Sequence, residues 1–254
     1  MKKIILNFRP WAVIVVTLLL SFTLYQKKHI KVFMIGDSTM CVYDPQRAPV
    51  TGWGMPFSNF FDSTVTVKDE AQSGRSTRTF IEENFWQPVA DNLAAGDYLF
   101  IQFGHNDEVP TKKAYTPEKD FKAYLARYIT EARARGAHPI LLTPVARRHF
   151  DDAGKIQETH AVYSVLVSDV AREYKVPFID LNKKSQQLLQ ELGVERSQLL
   201  FNHLKAGENP HYPDGLADNT HFNELGARII AEMVLKEIKS LKLELADRIV
   251  KPQE

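Results

Sequence analysis

The chain of 254 residues has a single cysteine, Cys41, so it can form no intrachain disulfide and offers no thiolate cluster for a zinc or iron–sulfur site. It also lacks net charge. With 32 basic and 31 acidic residues the formal charge is +1, which gives no bulk attraction to nucleic acid or to an anionic membrane surface. Any charge-based recognition has to be local. Long hydrophobic runs are scarce as well. The uncharged stretch at residues 11–25, WAVIVVTLLLSFTLY, is shorter than the roughly 20 residues of a membrane span. It follows Lys2, Lys3 and Arg9, which is the plan of a secretory signal. No A-x-A processing pattern follows it, and Lys27 and Lys28 stand behind it. Residues 1–29 therefore read as a signal peptide or a signal anchor. The expected location is outside the cytoplasm, either periplasmic or secreted, with a tether through residues 11–25 if the segment stays uncleaved.

What remains, residues 30–254, carries no internal repeat or low-complexity linker, and a hydrophobic content of 44% suffices for one sizeable core. Short apolar runs rich in β-formers alternate with stretches of helical period, the pattern of an α/β fold with crossover helices. Strands are expected at residues 31–35, 64–68, 98–103, 139–143 and 177–180. Their mostly apolar content predicts burial on both faces of a parallel sheet. Thr116-Pro117-Glu118 opens a helix that presents Phe121, Leu125, Tyr128 and Ile129 on one face and ends at Gly136. Further helices are expected over residues 157–174 and around Leu225, Ile229, Ile230, Met233, Val234 and Ile238. Residues 201–213 read as a long loop.

In an open parallel sheet, ligands gather beyond the carboxyl ends of the strands. The segments following four successive strands are all polar: Gly36-Asp37-Ser38-Thr39, then Ser73-Gly74-Arg75-Ser76, then Gly104-His105-Asn106-Asp107, then Arg147-Arg148-His149. Ser38 sits where the first strand is expected to give way to a helix, and backbone N–H groups there suit a developing negative charge. By itself such a serine is more often a helix cap. Gly74 and Asn106 are suitable oxyanion donors, a bare backbone N–H and a carboxamide N–H, although each also has an ordinary use in a turn. Near the C-terminus, Asp218-Asn219-Thr220-His221 supplies an imidazole with a carboxylate three residues earlier, close enough for one turn to present both. Capping of a helix that begins near Asn223 is the competing use of Asp218 or Thr220. A metal site is disfavoured because His105, His149, His203 and His211 are scattered without ligand spacing.

The order GDST, SGRS, GHND, DNTH resembles the four sequence blocks of the SGNH (GDSL-like) hydrolases, and the correspondence runs from Val32 to Ile238. The resemblance implies a doubly wound, three-layer α/β/α sandwich around a five-stranded parallel sheet, flavodoxin-like in layout. It implies Ser38 as nucleophile and His221 as base supported by Asp218. Its oxyanion hole would comprise the Ser38 N–H, Gly74 and Asn106, and no cofactor or metal is called for. AQSGRSTRTF, AAGDYLFIQFGHND, TPVARRHF and the early TGWG are most similar to rhamnogalacturonan acetylesterases, which implies acetylated pectic polysaccharide, or its oligosaccharides, as partner. Trp53 could stack on a sugar ring or pack internally. Arg75, Arg147 and Arg148, with Arg78 beside them, could rim the crevice and meet a uronate carboxylate.

Two other functions stay open on sequence alone. An esterase of the same kind could act on another acylated carbohydrate or on a lipid, since the blocks choose neither alcohol nor acyl chain. A membrane-tethered carbohydrate-binding protein without activity is the other, although binding gives no reason to keep nucleophile, base and oxyanion donors together. A phosphoryl-transfer enzyme is disfavoured by the lack of a Walker loop and of an acidic metal cluster.

Overall fold

The computed structural model describes residues 27–250, so the apolar stretch assigned above to export lies outside the described residues. Strands β1 (Ile30–Gly36), β2 (Val65–Asp69), β3 (Tyr98–Gln102), β4 (His138–Leu142) and β5 (Phe178–Ile179) form one sheet in the order β2-β1-β3-β4-β5. Every pairing in it is parallel. The five-stranded parallel sheet expected from the sequence is thus present, each strand within a residue or two of its expected bounds.

Alternation along the strands divides the core into two. Val32 and Met34 of β1, Phe100 of β3, and Ile140 and Leu142 of β4 point to one side. Phe33, Ile35, Leu99, Ile101 and Leu141 point to the other. A period of two with apolar residues on both phases leaves no strand face for water, so both must be covered by helices. Helices α1 (Thr77–Glu82), α2 (Trp86–Asn92), α3 (Glu118–Ala134) and α4 (Ala161–Tyr174) cover the second side. The first is covered by α5 (Leu181–Arg196), by α6 (Glu224–Ser240) and by the aromatic cluster of Trp53, Phe57 and Phe61. This is the doubly wound sandwich. Among the described residues, no helix is long and apolar enough to cross a membrane.

Two sequence-based expectations need correction. Helix α4 begins at Ala161 rather than at Gln157, because residues 157–160 are drawn into contacts of their own, with Gln157 N bonded to His149 O and His160 N to Glu158. The supposed loop over residues 201–213 begins as strand β6 (Phe201–Leu204), which pairs antiparallel with β7 (Leu216–Phe222). A strand this short carries too little alternation to be read from sequence.

Helix α6 follows β7 directly. Asn223 caps it, its side chain accepting from Gly226 N at 3.0 Å, and Ala227, Ile230, Ala231, Val234 and Ile238 form its buried face. Leu225 faces solvent instead. The first turn presses so closely on the preceding segment that a Cβ at Gly226 would lie 2.0 Å from Leu200 O. Gly226→Ala should therefore cost about 1–3 kcal/mol through overpacking, read as a lowered urea midpoint. An unchanged midpoint would mean that this contact does not hold α6 in place.

Candidate active site

Directly after β1 the chain turns sharply. Met40 N and Cys41 N both donate to Asp37 O, closing a single turn rather than the helix expected there. Asp37 is fully buried, and its Oδ1 accepts from Thr39 N at 3.0 Å and from Thr39 Oγ1 at 2.8 Å. Burial raises the Asp37 pKa, and the Thr39 bonds offset part of that. Thr39 Oγ1 in turn accepts from Gln102 Nε2 at 2.7 Å, and Gln102 Oε1 accepts from the Trp53 indole at 2.6 Å. A second support runs alongside. Trp53 N donates to Thr39 O and Gly54 N to Met40 O, which brings the two backbones so close that a Cβ at Gly52 would sit 2.0 Å from Cys41 O. The glycines flanking Trp53 are there for that approach. Trp53 itself is completely enclosed, edge-on to Phe57 at 5.5 Å, and presents no face to a sugar. Its proposed stacking role is corrected: it braces the Ser38 turn.

Ser38 emerges from this turn at 9% exposure. Its Oγ lies 3.0 Å from His221 Nε2, and His221 Nδ1 lies 2.7 Å from Asp218 Oδ2. With Nδ1 donating to the carboxylate, Nε2 is left to accept the serine proton. Asp218 and His221 both belong to β7, where positions three apart should face opposite ways. A break in the ladder resolves this. Phe201 pairs with Phe222 and His203 with Ala217, so Asn202 alone faces residues 218–221, which bulge out of register. The bulge lets Asp218 Oδ1 accept from Thr220 N at 2.7 Å and from His221 N at 2.9 Å. Burial acts to raise the Asp218 pKa, but the hydrogen bonds from the His221 ring and from these backbone N–H groups outweigh it and hold the group down to about 2.

The arginines after β4 secure the bulge. Arg148 is buried, and its own N–H donates to Asn219 O. Its guanidinium donates to Asn219 Oδ1 at 2.7 Å, to Ser197 Oγ at 2.9 Å and to Val194 O. These bonds use one donor from each of its three nitrogens and the residue is only 7% exposed, so its proposed carboxylate-binding role is corrected to a structural one. Arg147 bonds Thr220 Oγ1 and His105 O and pairs with Glu108 at 3.0 Å. Arg75 pairs with Glu83 and lies over the Phe85 ring at 5.1 Å, while Arg78 pairs with Glu82. Arg147 lines the cleft formed with Glu108 and Lys112, and both it and Arg148 edge a smaller hollow beside Asn219 and Thr220.

Gly74 follows β2 and Asn106 follows β3, the two strands that flank β1, so all three loops meet at one end of the sheet. Gly74 has φ +78°, a conformation that favours glycine, and a Cβ there would meet nothing within 4 Å. Neither Ser38 N nor Gly74 N has an acceptor among the described residues. Asn106 uses one amide hydrogen on Arg75 O at 3.0 Å, and its Oδ1 accepts from Lys112 Nζ at 3.1 Å. The other amide hydrogen remains.

Several residues of the site were not singled out in the sequence. Tyr43 donates its phenol to Ser38 O at 2.7 Å and stands edge-on to the His221 ring at 6.4 Å. Asp107 accepts from both Thr77 N and Thr77 Oγ1, tying the start of α1 to the loop after β3; burial, offset by these bonds, pushes its pKa up to about 7. His160 bonds Glu108 at 2.9 Å and packs on His105 at 4.4 Å between ring centres. Glu108, Lys112, Arg147, Glu158, His160 and Tyr163 line an open cleft of about 680 Å³. Ser38 is not in its wall. The cleft adjoins the catalytic groups through Lys112, which bonds Asn106, and Arg147, which bonds Thr220.

Comparison with known proteins agrees with this geometry. Residues 34–229 match the GDSL-like Lipase/Acylhydrolase family. The chain is 42% identical to the rhamnogalacturonan acetylesterase RhgT of Bacillus subtilis (strain 168) over 88% of its own length and 96% of that protein's. It is 36% identical to the probable rhamnogalacturonan acetylesterase YesY of the same organism, over 87% and 97%. Its fold is similar to the X-ray structure of YxiM from Bacillus subtilis, with a TM-score of 0.73 and 28% identity over 85% of this chain and 58% of that one.

The depressed Asp218 pKa has a consequence for stability. Unfolded, the group titrates near 3.8; folded, near 2. Its stabilising contribution is complete above pH 4 and lost as the pH falls through about 2. Urea unfolding of the wild-type protein and of Asp218→Asn should differ at pH 6, the variant being weaker, and the gap should narrow toward pH 2. A gap independent of pH would show that the charge of Asp218 is not what stabilises the bulge.

Proposed function

The chain belongs to the GDSL-like lipase/acylhydrolase family, and from that premise we propose that it removes O-acetyl groups from rhamnogalacturonan, or its oligosaccharides, through an acetyl-Ser38 intermediate. It is a carboxylic ester hydrolase. The observation that carries the mechanism is the hydrogen-bonded line from Asp218 through His221 to Ser38, at 2.7 and 3.0 Å.

As Ser38 Oγ attacks the acetyl carbonyl carbon, its proton passes to His221 Nε2, and the imidazolium is stabilised by the Asp218 carboxylate. The carbonyl oxygen becomes an oxyanion, held by Ser38 N–H, Gly74 N–H and the free amide hydrogen of Asn106. When the C–O bond to the sugar breaks, His221 returns the proton to the departing oxygen. Water then attacks the acetyl-serine as His221 takes its proton, and His221 returns that proton to Ser38 Oγ as the acyl C–O bond breaks and acetate leaves.

The substrate class rests on the names of two relatives, 42% and 36% identical to this chain. Arg147 at the cleft wall is the group proposed to meet a galacturonate carboxylate, since its side chain is not fully enclosed. Export by residues 1–29 belongs to the same proposal, because a pectic polymer is met outside the cytoplasm.

The deciding experiment is acetate release from acetylated rhamnogalacturonan and from acetylated xylan, with Ser38→Ala as blank. Ser38-dependent release favouring the pectic substrate is expected. Equal release from xylan would overturn the substrate class, and no release from either would overturn the esterase. Asn106→Ala should remain folded and lose roughly a hundred- to a thousand-fold in kcat. A near-normal rate would remove Asn106 from the oxyanion hole.

A further inference from the structure

Asn106 is held at both ends of its carboxamide. Nδ2 donates to Arg75 O at 3.0 Å, and Oδ1 accepts from Lys112 Nζ at 3.1 Å. A planar amide could sit here in two orientations. The reversed one would set its NH2 against an ammonium and its oxygen against a carbonyl, so only the observed one satisfies both neighbours. The direction of the remaining N–H is thereby fixed before any substrate arrives.

Lys112 also acts on the strength of that donor. A cation on Oδ1 draws electron density from the amide nitrogen and polarises the N–H, and hydrogen bonds in series reinforce one another where water is scarce. Asn106 is 5% exposed, so the amide end of the bond is dry, while the exposed Lys112 is screened by solvent and acts through its direct bond to Oδ1. The position of Lys112 is built in by its own loop. Thr116 N closes on Asp107 O, Lys112 N on Val109 O and Tyr115 N on Lys112 O. Lys112 therefore returns to Asn106 from six positions along the chain.

We infer that Lys112 is a positioning residue for ester hydrolysis, its ammonium fixing and polarising the Asn106 amide as an oxyanion donor. The inference rests on the oxyanion role of Asn106 given above. It separates Lys112 from the other cation of the cleft, Arg147, whose charge is paired with Glu108.

The test is a double-mutant cycle with 4-nitrophenyl acetate, a neutral ester with no carboxylate for a lysine to bind. Lys112 is exposed, so its variants should fold. Lys112→Met should lower kcat about tenfold, the scale of one bond to a charged group, with KM unchanged. Lys112→Arg should restore most of the loss. In the Asn106→Ala background, Lys112→Met should cost nothing further, because the group it acts through is gone. A tenfold loss that persists in that background, or one that falls on KM alone, would overturn the inference while leaving the role of Asn106 intact. An Asn106→Ala enzyme of near-normal rate would overturn the oxyanion reading itself, and the role of Lys112 with it.

Discussion

The position of the nucleophile depends on a buried line of hydrogen bonds that passes beneath it, from the Trp53 indole through Gln102 and Thr39 to Asp37. Each member is buried; two of the bonds join distant parts of the chain, the segment around Trp53 to the end of β3 and the end of β3 to the turn after β1, while the third, Thr39 to Asp37, lies within that turn. In a low-dielectric interior such a network is stable only if it is nearly complete, since one missing partner leaves a desolvated polar group. The turn therefore has one arrangement. That rigidity lets Ser38 present its hydroxyl to His221 without relying on a helix behind it.

The acid–base half is made differently. A regular strand would send Asp218 and His221 to opposite faces, but the misaligned ladder against β6 folds residues 218–221 outward so that one carboxylate collects the imidazole and two backbone N–H groups. Such a bulge would be free to relax if left alone. Asn202 holds its far end through His221 O and Phe222 O, while Arg148 and His203 hold Asn219 and Arg147 holds Thr220. The pair of arginines after β4 thus matters chiefly for geometry, and the rim they were expected to form is reduced to Arg147.

The limits of sequence reading follow from the same contrast. The central strands were legible because burial on both faces writes continuous apolar runs, the edge strand β2 because valine and threonine alternate in it, and the polar blocks after them because they are contiguous. Ser38, Asp218 and His221 stood out for that reason. The roles of Trp53 and Arg148 stayed open because their surroundings come from far away in sequence: Gln102 lies 49 residues from Trp53, and Asn219 lies 71 from Arg148. No local pattern tells an enclosed tryptophan from a stacking one, or a buried, bonded guanidinium from a free one. Strand β6 was missed because its four residues carry too little alternation to be read. Tyr43 lies near the first block yet carried no signal, since what matters is its reach back to the Ser38 carbonyl.

The separation of 183 positions from Ser38 to His221 also sets a timetable. At ribosomal rates of about 5–20 residues per second, roughly 10–40 s pass between synthesis of the nucleophile and synthesis of its base. Throughout that interval the nascent chain holds a serine with no partner to activate it. Hydrolytic competence arrives only when β7, which carries the base, docks beside the turn after β1. This contact of very long range is costly to close, which makes ester cleavage a reporter on the completion of folding.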